Sequence, residues 1–135
     1  MRGKEPVDTS NIRIAVATGK NGGLDDRVSD VFGRAATFTL IDIDEGQIKN
    51  VKILKNPAVS YTHGAGPIVV KTLIDQGVNM VIGSELGPGA LALLKQHNIS
   101  MVKVSRGTLV SDAIKKVQLE LRRREKLSKI TVANK

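Results

Sequence analysis

The sequence contains no cysteine and no tryptophan, and its aromatic residues are Phe32, Phe38 and Tyr61 alone. Without thiols there is no disulfide, no thiolate-built zinc site, no cysteine nucleophile and no cysteine-ligated iron–sulfur cluster. So few rings do not make a stacking platform for single-stranded nucleic acid. The histidines are His63 and His97 only, and neither a Ser/His/Asp arrangement nor a nucleophile elbow can be read around them. No apolar run approaches the ~20 residues of a membrane span, and the first residues lack the apolar stretch of a signal peptide. The expectation is a soluble, cytoplasmic chain without a membrane partner.

What is present is one domain's worth of chain: 135 residues, 41% of them hydrophobic, enough to bury a core and too short for two domains. The net charge is +8 and is unevenly placed. Between 115 and 135 the cations Lys115, Lys116, Arg122, Arg123, Arg124, Lys126, Lys129 and Lys135 face only Glu120 and Glu125. Such a block suits contact with an acidic protein, nucleic acid or an anionic ligand. It equally suits a solvated helix end whose cations complement the helix dipole.

Periodicity divides the chain. Ile12 to Ala17 alternates and is β-branched, so it reads as a strand. Thr18 to Arg34 is glycine-rich and charged, and it reads as a long, mobile loop. Ala36 to Asp42 and Gln47 to Leu54 are strands joined at Asp44-Glu45-Gly46 in an antiparallel hairpin. Helices are expected at about Pro67 to Gln76 with Gly77 at the C-cap, at Pro88 to His97, and from an N-cap at Thr108 onward. Short apolar runs at Val78 to Gly83 and Ile99 to Val104 are buried strands. The fold class is α/β: a five-stranded mixed sheet flanked by helices, in the order β-β-β-α-β-α-β-α, with right-handed crossovers in its second half. Residues 1–10 are expected as a disordered leader, 11–121 as a single domain, and 122–135 as a basic C-terminal extension.

Three stretches carry candidate chemistry. His63-Gly64-Ala65-Gly66-Pro67 opens a helix. Its glycines admit a ligand to the backbone, its N–H groups and dipole favour anions, and His63 is a donor suited to iron, copper or zinc. The bland role for His63 is to bond its own loop. Gly87-Pro88-Gly89-Ala90 opens a second helix after a strand, where ligands of parallel sheets gather, although turn chemistry accounts for it equally. In Ser29-Asp30-Val31-Phe32-Gly33-Arg34-Ala35, Arg34 either grips an anion in bidentate fashion or pairs with Asp30, and Phe32 plugs the sheet edge. His97 at a helix end reads as structural. The first strand carries no carboxylate, so the converging acids of a metal-dependent nuclease are missing.

Taken together, Asp30-Val31-Phe32-Gly33-Arg34-Ala35, Phe38 to Asp42, His63-Gly64-Ala65-Gly66, Val81-Ile82-Gly83 and Gly87-Pro88-Gly89-Ala90 resemble the dinitrogenase iron–molybdenum cofactor-binding family. This family comprises the NifX/NafY-type carriers and the C-terminal domain of NifB. The resemblance covers about residues 11–120. It implies a ribonuclease-H-like fold and a non-catalytic role: binding the iron–molybdenum cofactor, a precursor or another iron–sulfur cluster, and passing it to cofactor-biosynthesis or acceptor proteins. It implies a binding set of His63, Gly64, Ala65, Gly66, Arg34, Gly87 and Gly89, with His63 as the metal ligand. The chain departs from some relatives in having no thiolate to offer. The competing reading is an interaction module that docks an acidic protein or nucleic acid through the basic C-terminal segment.

Overall fold

The computed structural model describes residues 11–61 and 64–133, the side chains at 125 and 128–133 excepted. The leader expected at 1–10 lies outside the described residues.

Five strands form one mixed sheet in the order β3-β2-β1-β4-β5. They are β1 (Asn11–Thr18), β2 (Thr37–Asp44), β3 (Gln47–Lys55), β4 (Met80–Gly83) and β5 (Ser100–Lys103). β2 runs antiparallel to both its neighbours, β1 and β3, and β1–β4 and β4–β5 are parallel. The β2–β3 hairpin closes on Glu45 and Gly46, both at positive φ (52° and 80°), the geometry whose twist matches that of the strands. The helices are α1 (Ala65–Asp75), α2 (Pro88–Gln96) and α3 (Val110–Ala133).

The alternation of β1 decides the layering. Ala15 and Ala17 point to one face, where Phe38, Leu40 and Val81 meet Val69, Val70 and Leu73 of α1 and Ala90 and Leu94 of α2. Ile12, Ile14 and Val16 point to the other, with Ile41, Ile43 and Ile82 against Val110, Ala113, Ile114, Val117 and Leu121 of α3. The result is helix, sheet, helix, the arrangement that a sheet with two apolar faces requires. On α2 the apolar face is narrower than its sequence suggests: Ala90 and Leu94 are buried while Leu91 is exposed.

Several boundaries shift for identifiable reasons. α1 begins at Ala65, so Pro67 is its third residue rather than its first; the N–H of a third residue is also without a helical partner, so proline fits there. Gly77 takes the left-handed conformation (φ 74°) after α1. Val78, read as strand, instead donates its N–H to the Leu73 carbonyl and closes that helix. Thr108 is not an N-cap: its hydroxyl donates to the Ser105 carbonyl at 2.6 Å. The start of α3 is met from elsewhere, with the Val110 and Ser111 N–H groups donating to the carbonyls of Asp26 and Leu24.

Those carbonyls belong to the 18–34 segment, expected as a mobile loop. Backbone bonds tie it on both flanks: Ser29 N–H to Ala17 O, Val28 N–H to Thr108 O and Phe32 N–H to Glu85 O, each at 2.8–2.9 Å. Inside the loop the Asp26 carboxylate accepts from the N–H groups of Lys20, Gly22 and Arg27. Beneath it the buried hydroxyls of Thr18, Thr37 and Thr39 bond one another and reach Lys20 O and Gly23 N–H. Phe32 lies in the core rather than at the sheet edge, its ring edge-on to Phe38 at 5.3 Å.

At the opposite end of the sheet, Arg13 donates to Asp42 at 2.7 Å and to the Gln76 carbonyl at 2.6 Å, joining two strands to the C-terminus of α1. The hydrogen bond from Arg13 holds the Asp42 carboxyl below the usual carboxylate range. A depressed folded-state pKa stabilises above the unfolded value and is lost as pH falls through the folded one. Because the pair is partly solvent-screened, Asp42→Asn is expected to lower stability by about 0.5–1 kcal/mol at pH 7. That deficit should shrink as pH falls below the ~3.9 of an unfolded aspartate and the folded carboxyl in turn protonates. Urea unfolding across pH checks this.

Candidate functional site

β3 is antiparallel to β2, as is β1, so β1, β3, β4 and β5 all run one way. Their C-terminal ends share one rim of the sheet, and each helix begins from that rim. Loops after parallel strands form ligand crevices there, above all where the strand order reverses, here between β1 and β4.

On this rim a cleft of about 280 Å3 lies between the starts of α1 and α2, with the Val31–Arg34 segment along its side. It brings together Arg34, Gly64, Ala65, Gly66, Gly87 and Gly89, six positions singled out in the sequence. The seventh, His63, lies outside the described residues; it immediately precedes Gly64 in the chain.

The small residues divide into two kinds. A Cβ on Gly66 would stand 3.3 Å from the Ala90 Cβ, and one on Gly33 would stand 3.5 Å from the Ala65 Cβ and the Gly66 nitrogen. These two glycines let the chain segments approach each other. A Cβ on Gly64, Gly87 or Gly89 would meet nothing within 4 Å, so these three bare backbones open onto free space. Gly64 also needs its left-handed φ of 76°, which other residues adopt at a cost.

Electrostatically the cleft is built from helix starts. Gly64 and Gly87 occupy the N-cap positions of α1 and α2 and have no side chain with which to cap them; neither first turn contains an acidic residue. The N–H groups that a helix start leaves without intrahelical partners, and the positive dipole ends, therefore converge from two helices on one cleft. Arg34, exposed at the end of the short 3-10 turn Phe32–Arg34, adds a full cation. Asp30, its candidate partner in the sequence, instead sits 3.7 Å from Arg106.

Two larger surface depressions flank the cleft, of about 610 and 700 Å3. The first carries Asp25, Asp26 and Asp30 and the second Asp30 and Glu85, so carboxylates offset their cations and neither concentrates one sign of charge. Among the described residues no three His, Asp or Glu side chains converge to hold a bare metal ion. The two helix starts and Arg34 make the cleft receptive to an anion. His97, read as structural, is the exposed C-cap of α2. Among the described residues no helix is long and apolar enough to cross a membrane.

Sequence reasoning missed Asn56. It is buried just after β3, and its amide donates to the carbonyls of Gly33 and Ala35 at 3.0 and 2.8 Å while its oxygen accepts from Ala58 N–H at 2.8 Å. It clamps the segment carrying Arg34 to the chain leading into α1. Asparagine before proline reads as turn chemistry, and nothing local signals that its partners lie more than 20 residues back.

Residues 11–120 match the family described as dinitrogenase iron-molybdenum cofactor. The uncharacterized protein MJ0580 of Methanocaldococcus jannaschii is 35% identical over 89 residues, spanning 66% of this chain and 75% of that one. Among solved structures, the apo form of the orange protein from Desulfovibrio gigas is 29% identical with a TM-score of 0.71, covering 81% of this chain and 88% of its own. Protein TM1290 of Thermotoga is 33% identical with a TM-score of 0.63, covering 77% and 84%. The family match takes in both helix starts and the Arg34 segment, and the chain belongs to the dinitrogenase iron–molybdenum cofactor family.

Proposed function

We propose that this protein is a non-catalytic, cytoplasmic carrier that holds an anionic iron–sulfur-based cluster in the cleft between α1 and α2 and hands it to a biosynthetic or acceptor protein. The cargo is the iron–molybdenum cofactor, a precursor or a related cluster. The observation that carries this reading is the convergence of two helix starts, both without acidic residues and both capped by glycine, beside Arg34. In this role the N–H groups of Gly64, Ala65, Gly66, Gly87 and Gly89 donate to sulfide or carboxylate on the cluster surface. Arg34 balances its charge, and His63 supplies the one protein ligand to metal. With no thiolate in the chain, the cluster keeps its own bridging ligands, which suits reversible loading and release. The strand order 3-2-1-4-5 with β2 reversed supports the ribonuclease-H-like description of the domain; the basic segment expected as an extension from 122 continues α3 as far as Ala133.

Anaerobic titration of the protein with isolated iron–molybdenum cofactor, and separately with simple iron–sulfur clusters, tests the reading. The expected result is stoichiometric retention through gel filtration. His63→Ala should weaken it by about tenfold or more, as for loss of a metal ligand, and Arg34→Ala by about three- to tenfold, as for a solvent-screened hydrogen bond of an exposed side chain. No retention of any cluster, or retention indifferent to both substitutions, contradicts it.

A further inference from the structure

The sheet ends at β5 on a bare edge. Ser100 and Val104 turn their N–H groups toward β4, to Asn79 and Gly83 carbonyls. Strand alternation therefore turns the N–H and C=O groups of Met101 and Lys103 outward, and among the described residues no strand pairs with them. Beside this edge lies a notch of about 170 Å3, apolar where Met80, Val102 and Val104 face Val117 and Leu121 of α3. Lys103, Lys116 and Arg124 also line it, and all three are exposed. The one acid there, Glu120, is already engaged by Arg123 and Arg124 at 3.2 and 3.3 Å.

We infer that the β5 edge and its notch form a docking site for an extended acidic segment of a partner protein. The segment adds a sixth strand beside β5, seats an apolar side chain in the notch, and sets carboxylates against Lys103 and Lys116, while Arg124 stays shared with Glu120. Main-chain pairing gives such a site affinity and the alternate side chains give it specificity. Charge selects the occupant. A second copy of this chain would bring the same three cations into apposition across the joined edges, and like charges so placed oppose association. Nucleic acid would use the cations but neither the strand edge nor the apolar notch. The site lies apart from the α1–α2 cleft, with no lining residue in common, so a partner docked there leaves the cleft open.

The test uses the full chain and a fluorescein-labelled extended peptide with glutamates on both sides of a central leucine–valine pair, followed by fluorescence anisotropy. Lys103→Pro is the informative variant. It deletes an outward N–H, leaves the ladder to β4 intact, and proline is tolerated at such an edge position. Binding should fall roughly tenfold or more in Lys103→Pro but only about two- to threefold in Lys103→Ala, which removes the charge alone. Lys116→Glu, on the helix and outside the strand, should weaken binding about fivefold with the sheet untouched. Three results would overturn the inference: no binding of the peptide, equal losses in Lys103→Pro and Lys103→Ala with Lys116→Glu unaffected, or displacement of the peptide by a duplex oligonucleotide at lower concentration than by unlabelled peptide.

Discussion

Gly89→Leu is expected to weaken cluster binding by roughly tenfold or more while leaving the protein at least as stable as before. Gly89 is the second residue of α2, where an added Cβ meets nothing within 4 Å. Its backbone is helical, so no left-handed strain stands in the way, and leucine is the better helix former by up to about 0.8 kcal/mol. Gly89 lines the cleft of about 280 Å3, so a leucine there takes up space at its wall and shields the N–H groups of the helix start. A loss of affinity of roughly tenfold or more, about 1.4 kcal/mol, with an unchanged or raised Tm, separates a binding surface from a structural one. A glycine retained for packing behaves oppositely. Gly66→Leu should lower Tm, because its Cβ would already press on Ala90 at 3.3 Å. If Gly89→Leu binds the cluster as well as the parent protein, the cleft is not where the cargo sits.

The largest stability effect is expected at Asn56. Truncation to alanine removes three hydrogen bonds and leaves the Ala35 carbonyl and the Ala58 N–H without a partner in a buried setting. Each buried polar group so orphaned costs about 1–3 kcal/mol. The expected loss is about 2–4 kcal/mol, on the order of 10 °C in Tm for a domain of this size. Asn56→Asp should be no better, because a carboxylate cannot donate to two carbonyls and would be buried facing them. Cluster affinity should fall as well, since the Gly33–Arg34 wall of the cleft hangs on this side chain. Thermal unfolding followed by circular dichroism gives the first quantity. A change under about 0.5 kcal/mol, the level of an ordinary surface substitution, would show that the wall is anchored elsewhere.

How much of this could be read from the sequence follows from the range of the interactions concerned. The sheet and helices were legible because alternation in Ile12–Ala17 and helical spacing in 109–121 are local signals. The two helix starts were legible for a related reason: glycine and proline together mark where a helix begins; that Arg34 lies beside them is a long-range fact no local spacing carries. The contacts that hold the 18–34 loop were not legible. Its glycines suggest freedom, whereas its order comes from partners far along the chain, with Asp26 and Leu24 carbonyls capping α3 and Phe32 bonded to Glu85. Asn56 and the Thr18–Thr37–Thr39 hydroxyl cluster belong to the same class, since a polar side chain reveals its burial only when the fold closes over it. Arg106, not Arg34, stands beside Asp30 because the loop after β5 folds back onto the rim, and residue spacing within 29–35 carries no trace of that.

The most direct test of the cluster-carrier account is an amide NMR titration of isotopically labelled protein with isolated iron–molybdenum cofactor under anaerobic conditions. A paramagnetic cluster broadens the signals of nearby N–H groups. The account requires the N–H signals of Gly64, Ala65, Gly66, Gly87, Gly89 and Ala90 to broaden first and together, while those of β5 and of residues 122–133 in α3 stay sharp. Broadening centred on the basic end of α3, with the two helix starts unaffected, would contradict it.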